Sequence, residues 1–190
     1  MTTDPDDQRR TGGGLWLNGA PIDAATGTRA VAPQARTLNL LAGSLMAVPV
    51  ILAVVLVVIG GTDGGAPELL PTVVPIAVGL LAAVGITTIG FRVRPLDQAD
   101  VGRGAETAAL QRFTTSFFLR FALAEMPALV ALALAFAFPP VNLFAYLPGG
   151  LFALLLMAIF VRPNRSNVGR VERVLDERGA RSNLSAAFGY

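Results

Sequence analysis

The chain has 190 residues, of which 53% are hydrophobic and 15% are charged. A typical soluble domain has about 25% charged residues, so this composition argues against an ordinary soluble fold. The sequence contains no cysteine, no histidine and no lysine. Disulfides, thiolate or imidazole metal sites, histidine-dependent nucleophiles and lysine Schiff bases are therefore excluded. We predict no catalytic residue, no cofactor and no metal ligand.

The apolar residues form four blocks of 21 to 23 residues. At about 1.5 Å per helical residue, each block is long enough to cross a hydrocarbon core of ~30 Å. The sequence therefore predicts an all-α integral membrane four-helix bundle, with residues 1–37 as a polar leader and residues 162–190 as a polar tail. The predicted spans are Leu38–Ile59, Leu69–Phe91, Phe117–Phe138 and Val141–Val161.

Arginines flank the predicted spans on one side only. Fourteen of the 15 basic residues precede the first span, separate the second from the third, or follow the fourth. The connection Gly60–Glu68 and the turn at Pro139–Pro140 contain none. Because an excess of arginine marks cytoplasmic segments, both termini are predicted to be cytoplasmic. The arginine- and alanine-rich composition is typical of GC-rich bacteria such as actinobacteria, so the plasma membrane of a bacterium is expected. Because the arginines lie beside the predicted spans, where topology requires them, no nucleic-acid partner is expected.

Small residues within the spans indicate faces on which helices approach closely. The spacing of Gly43 with Ala47, and of Gly149 with Ala153, fits this pattern in the first and fourth spans. The second span contains Gly79, Gly85 and Gly90. These residues predict a tightly packed bundle.

The leader has too few bulky apolar residues to fold on its own, so it is expected to be flexible. Leu15, Trp16 and Leu17 are its exception, and they are interpreted as a partner-docking motif, an interfacial anchor or an incidental cluster. In the tail, four apolar residues recur at helical spacing and predict an amphipathic helix near residues 167–178. It is expected to lie on anionic lipid or to pack on a partner, through Val168, Val171, Val174 and Leu175.

Glu125 is the only acidic residue within a predicted span. An ionisable group at this depth is costly, so it is expected to face the bundle near a hydrogen-bond donor. Depth matching along the spans selects Ser44, Thr87 and Thr88 as donors. Three interpretations follow: a protonated structural residue, a salt bridge to a partner subunit, or a proton- or cation-carrying site. We favour the first, which predicts that Glu125→Gln is tolerated, while Arg120 extends to the lipid headgroups.

The third span, around Phe121–Leu129, resembles the carboxylate-bearing helix of subunit c, the proteolipid of rotary ATP synthase. The order of a glycine-containing span, the cytoplasmic pair Arg94-Pro95 and then this helix is also similar to that subunit. The resemblance covers the second and third spans. The whole chain resembles bacterial four-span proteins with the pattern Arg-x-Ala-Leu-x-Glu in the third helix, a group that implies no known activity.

Two functions are consistent with this sequence. The first is a non-catalytic accessory or assembly subunit of a larger membrane complex, for which respiratory or other energy-transducing assemblies are natural hosts. Its expected partners are other integral membrane subunits and lipid. The alternative is a small oligomeric transporter, coupled to protons or ions through Glu125.

Overall fold

The computed structural model describes residues 16–17, 20–21, 33–60, 69–97, 103–138 and 143–190. Within these residues, four helices are long and apolar enough to cross a membrane. The prediction of a helical, multi-pass membrane protein is confirmed at this level. The four candidate spans are Pro33–Gly60, Leu69–Gly90, Gly104–Ala137 and Leu143–Val161.

The first membrane helix, α1, covers Pro33–Gly60, and the second, α2, covers Leu69–Gly85 and continues as a π-helical turn over Ile86–Gly90. The third, α3, is Arg103–Ala137. The fourth, α4, is Leu143–Leu156 and continues as a second π-helical turn over Met157–Val161. Two shorter helices follow, α5 at Arg165–Leu175 and α6 at Leu184–Ala187.

The leader contributes a pair of two-residue strands, β1 at Trp16–Leu17 and β2 at Ala20–Pro21. They pair antiparallel, with Trp16 opposite Pro21 and Leu17 opposite Ala20. Leu15 and the rest of the leader before Pro33 lie outside the described residues. The docking interpretation of Leu15, Trp16 and Leu17 is therefore still a prediction.

Helices α3 and α4 form the centre of the bundle and pack most extensively on each other. Helix α2 packs on both of them, whereas α1 packs chiefly on α4. Large apolar side chains cover the outside; Val58 and Leu69, for example, are each 79% exposed. Such a surface suits lipid tails, which are as apolar as these side chains.

Close packing between α3 and α4 depends on Gly149. A Cβ atom added there would collide with the carbonyl oxygen of Pro127 and with the Cβ atom of Ala131. A Cβ atom added at Gly43 meets nothing within 4 Å, because Gly43 is exposed on α1. The predicted small-residue contact is thus made within the chain at Gly149, whereas Gly43 makes none among the described residues.

We therefore expect Gly149→Ala to lower the free energy of unfolding by about 1–3 kcal/mol, because α3 and α4 must move apart. Gly43→Ala introduces the same methyl group into open space, and should not destabilise the protein. Denaturant unfolding of both variants in detergent micelles measures the difference. Equal stability of the two variants would contradict this packing.

Helix α3 begins at Arg103, 14 residues before Phe117, where the third apolar span is predicted to begin. Its 35 residues measure about 52 Å, well beyond the thickness of a hydrocarbon core. Apolar residues continue on one face of the added turns, where Ala105, Ala109 and Phe113 are fully buried. The polar residues between them lower the mean hydropathy, so the apolar block begins only at Phe117 although the helix begins at Arg103.

The tail residues predicted to contact lipid or a partner pack instead on the chain itself. Val168, Val171 and Leu175 are fully buried, and Val174 is half-buried. Their core includes Leu96 and residues of the first turns of α3. The backbone N–H of Leu96 donates to the carbonyl of Leu175 at 3.0 Å. An apolar helix face must pack against another apolar surface. Here the first turns of α3 provide that surface, which the sequence pattern does not identify.

Candidate functional site

Both α2 and α4 end in a five-residue π-helical turn, and α3 passes beside these two ends. We call this part of the bundle the arginine end, because Arg92, Arg94, Arg112, Arg120 and Arg170 gather there. A π-helical turn interrupts the regular hydrogen-bond pattern of a helix and often occurs at functional sites. In both cases a similar sequence follows or overlaps the turn, Phe91-Arg92-Val93-Arg94-Pro95 after the first and Phe160-Val161-Arg162-Pro163 at the second.

Arg120 lies at the centre of the arginine end and has no solvent-exposed surface. Its Nε donates to the carbonyl of Ser116 at 3.1 Å, and its Nη1 donates to the carbonyl of Phe160 at 2.9 Å. The guanidinium carbon lies 4.6 Å from the ring centroid of Phe91 and 5.4 Å from that of Phe113. Aromatic faces attract a cation electrostatically, and more strongly when water is excluded.

The expectation that Arg120 extends to the lipid headgroups is therefore wrong. The second π-helical turn presents the carbonyl of Phe160, and two aromatic faces replace part of the hydration of the guanidinium. The Nη2 atom is buried and has no hydrogen-bond partner among the described residues. Arg120 thus joins α3 to the ends of α2 and α4 instead of pointing outward.

Two further side chains bond to carbonyls near the π-helical turns. The hydroxyl of Ser116 donates to the carbonyl of Gly90 at 2.6 Å. The side-chain amide of Asn167 donates to the carbonyls of Ile159 and Arg162, at 2.9 and 3.0 Å. Each bond satisfies a carbonyl near the end of a span, where helices leave such groups without a partner.

Gly90 permits the close approach of α3 to the end of α2. A Cβ atom at this position would lie 2.6 Å from Cγ of Arg120. A larger residue would therefore push the Arg120 side chain away from Phe91. The packing of Arg120 on α3 therefore requires a glycine at position 90, at the end of α2.

None of the five arginines of the arginine end forms an ion pair with a carboxylate among the described residues. The ion pair within those residues joins Arg178 to Asp97 at 3.4 Å, and both side chains are largely exposed. Exposed pairs of this kind contribute little to stability. Arg170 adds a second guanidinium over Phe91, 4.7 Å from the ring centroid. The arginine end thus holds several positive charges that form no ion pair within the described residues.

The structure does not bring Glu125 together with the hydroxyl groups predicted to bind it. Ser44 donates to the carbonyl of Leu41 at 2.9 Å. Thr87 and Thr88 likewise donate to carbonyls one turn earlier in α2, at distances of 2.7 to 3.3 Å. All three side chains are exposed. Serine and threonine in helices often bond to their own backbone in this way, so depth matching along the sequence does not identify their partners.

Glu125 is half-buried and lies next to the exposed face of α3. Ala122 and Leu129, one turn away on either side, are exposed. The carboxylate lies within electrostatic range of the Tyr146 hydroxyl, which is itself buried and donates to the carbonyl of Pro49 at 3.1 Å. Among the described residues, no side chain or backbone group forms a hydrogen bond or an ion pair with Glu125.

Comparisons with known protein families, with curated proteins and with solved structures give no match to this chain. The resemblance of the second and third spans to subunit c thus depends on the residues alone. Within the part of the chain that the structure describes, no three His, Cys, Asp or Glu side chains gather to hold a metal ion.

Proposed function

We propose that this protein is a non-catalytic accessory or assembly subunit of a larger membrane complex. The observation that carries the proposal is the position of Glu125, at the outer edge of α3 and without a hydrogen-bond partner among the described residues. An unsatisfied polar group in a membrane costs several kcal/mol, so a donor from outside the chain would stabilise this carboxylate. A cationic or strongly donating side chain on a neighbouring membrane helix is the partner that fits. Because the donors predicted from the sequence do not contact Glu125, we now favour the salt bridge to a partner subunit over the protonated structural residue, and no longer expect Glu125→Gln to be tolerated.

Substitution of Glu125 tests this role. A carboxylate that pairs with a partner's cation loses the interaction when it becomes neutral, so Glu125→Gln and Glu125→Leu should both reduce recovery of the complex severalfold. Stability of the isolated subunit should remain close to wild type in both variants, since Glu125 bonds to nothing within the described chain. Quantitative co-purification from native membranes, with Met126→Leu as an exposed control on the same helix, measures the effect.

Retention of the complex by Glu125→Gln together with its loss in Glu125→Leu would indicate a neutral hydrogen bond instead of an ion pair. Retention in both variants would contradict a role for Glu125 in assembly.

The same unpartnered carboxylate supports a second candidate, an oligomeric proton- or ion-coupled transporter. In that case the purified protein alone, reconstituted into liposomes, should conduct protons or cations and lose this activity in Glu125→Gln. An accessory subunit should give no such flux, so the assay separates the two proposals.

For the orientation, we propose that the arginine end and both termini face the cytoplasm of a bacterial cell, because positively charged segments are retained there. A cysteine replacing Arg181, which is exposed, should resist a membrane-impermeant thiol reagent in intact cells. A cysteine replacing Asp63, in the connection between the first two spans, should react. The reverse labelling pattern would overturn this orientation.

A further inference from the structure

A cleft of about 190 Å³ opens at the arginine end, between the segment that follows α2 and one side of α3. Arg92 and Arg94 line it from the first element, and Arg112, Thr115 and Leu119 line it from the second. Arg92 and Arg94 are exposed, and Arg112 is half-buried. Three arginines, Thr115 and Ser116 therefore line one small space.

Arg112 is held in place beside this cleft. Its Nη1 donates to the carbonyls of Arg94 and Pro95, at 2.8 and 2.7 Å. No other hydrogen bond within the described residues uses its remaining N–H groups. A guanidinium fixed by one edge can present the other edge to a phosphate, for which its planar donors are well matched.

The cleft lies beside one end of the second candidate span and part-way along the third. It adjoins the C-terminal end of α2, just after Gly90, and Leu119 lies on its α3 side. Leu119 and its neighbour Phe118 are 41% and 47% exposed, on the apolar outside of the bundle. An amphiphile with an anionic head and an apolar tail fits this combination, whereas a free anion would use only the arginines.

None of the three lining arginines pairs with a carboxylate among the described residues. The buried charge of Arg120 lies behind the cleft wall, since its Nε bonds to the carbonyl of Ser116, another lining residue. Basic pockets between membrane helices on the cytoplasmic side recognise anionic headgroups. We propose that this cleft binds the phosphate of an anionic phospholipid between Arg92, Arg94 and Arg112, with an acyl chain along Leu119.

Binding of phosphatidylglycerol and phosphatidylcholine to the purified full-length protein tests the proposal, with bound lipids counted by native mass spectrometry. Wild type should retain phosphatidylglycerol at least tenfold more strongly than phosphatidylcholine. Arg92→Gln combined with Arg94→Gln should weaken phosphatidylglycerol binding by about 10- to 30-fold, because each arginine near an anionic lipid contributes appreciably. Both side chains are exposed, so the double variant should fold.

A control double variant, Arg165→Gln with Arg173→Gln, removes the same charge from exposed positions on α5 that do not line the cleft. It should bind phosphatidylglycerol as wild type does. An equal loss in both double variants would show a general charge effect and overturn the proposal. Displacement of the lipid by millimolar inorganic phosphate would overturn it too, because the site would then belong to a soluble anion.

Discussion

Replacing Arg120 by alanine is expected to lower the free energy of unfolding by about 2–5 kcal/mol, which is large for a single substitution. The change leaves a cavity among Phe91, Phe113 and the end of α4. It also leaves the carbonyl of Phe160 without its donor, and an unsatisfied buried carbonyl costs about 1–3 kcal/mol. Removing the buried guanidinium also removes its desolvation cost, which opposes these losses. In the wild type, however, the two hydrogen bonds and the two aromatic contacts already offset much of that desolvation cost.

Arg120→Lys separates charge from shape. Lysine keeps the positive charge, but its compact, strongly hydrated ammonium lacks the planar set of donors. We therefore expect this variant to be destabilised by at least 1 kcal/mol as well. Reversible unfolding in mixed detergent micelles, monitored by circular dichroism, measures both variants, with Arg173→Ala on α5 as an exposed control. A lysine variant as stable as wild type would show that only charge matters at this position.

Replacing Phe188 by alanine is expected to lower the free energy of unfolding by about 3–5 kcal/mol. Phe188 follows α6, is 5% exposed and lies 5.0 Å from Phe113, measured between ring centroids. Its removal opens the core in which the tail covers the first turns of α3. The same unfolding measurement applies to this variant.

Phe136→Ala is the matched control for this substitution, because Phe136 is 53% exposed on the outside of α3. It should change stability by less than about 1 kcal/mol, as expected for a surface position. If both phenylalanine variants behaved alike, the tail would not be part of the core, and its apolar face would again be a candidate surface for a partner.

The four spans could be predicted from the sequence because long apolar blocks have few alternatives in a membrane. The position of Arg120 could not, since an arginine near the end of an apolar block usually extends to the headgroups. Its burial depends on the carbonyl of Phe160 and the ring of Phe91, which are distant in sequence. The sequence does repeat a pattern of phenylalanine, arginine and proline at the ends of the second and fourth spans. This repeat marks the two π-helical turns beside which Arg120 lies.

The packing of the tail is a second feature that the sequence could not predict. Its valine and leucine spacing indicates that one helix face must be covered, but the pattern is the same whether lipid, a partner or the chain itself covers it. The chain itself covers this face, because α3 begins at Arg103 and its first turns share a core with the tail. The choice of donors for Glu125 failed for a local reason, because Ser44, Thr87 and Thr88 satisfy their hydroxyls within their own helices.

The most direct test of the proposed function is the mass of the particle that contains this protein when it is extracted gently from native membranes. Native mass spectrometry should find the chain at a fixed ratio with at least one different membrane protein, and the Glu125→Leu variant should appear without it. A particle made only of copies of this chain, with the same mass in wild type and variant, would contradict the proposal.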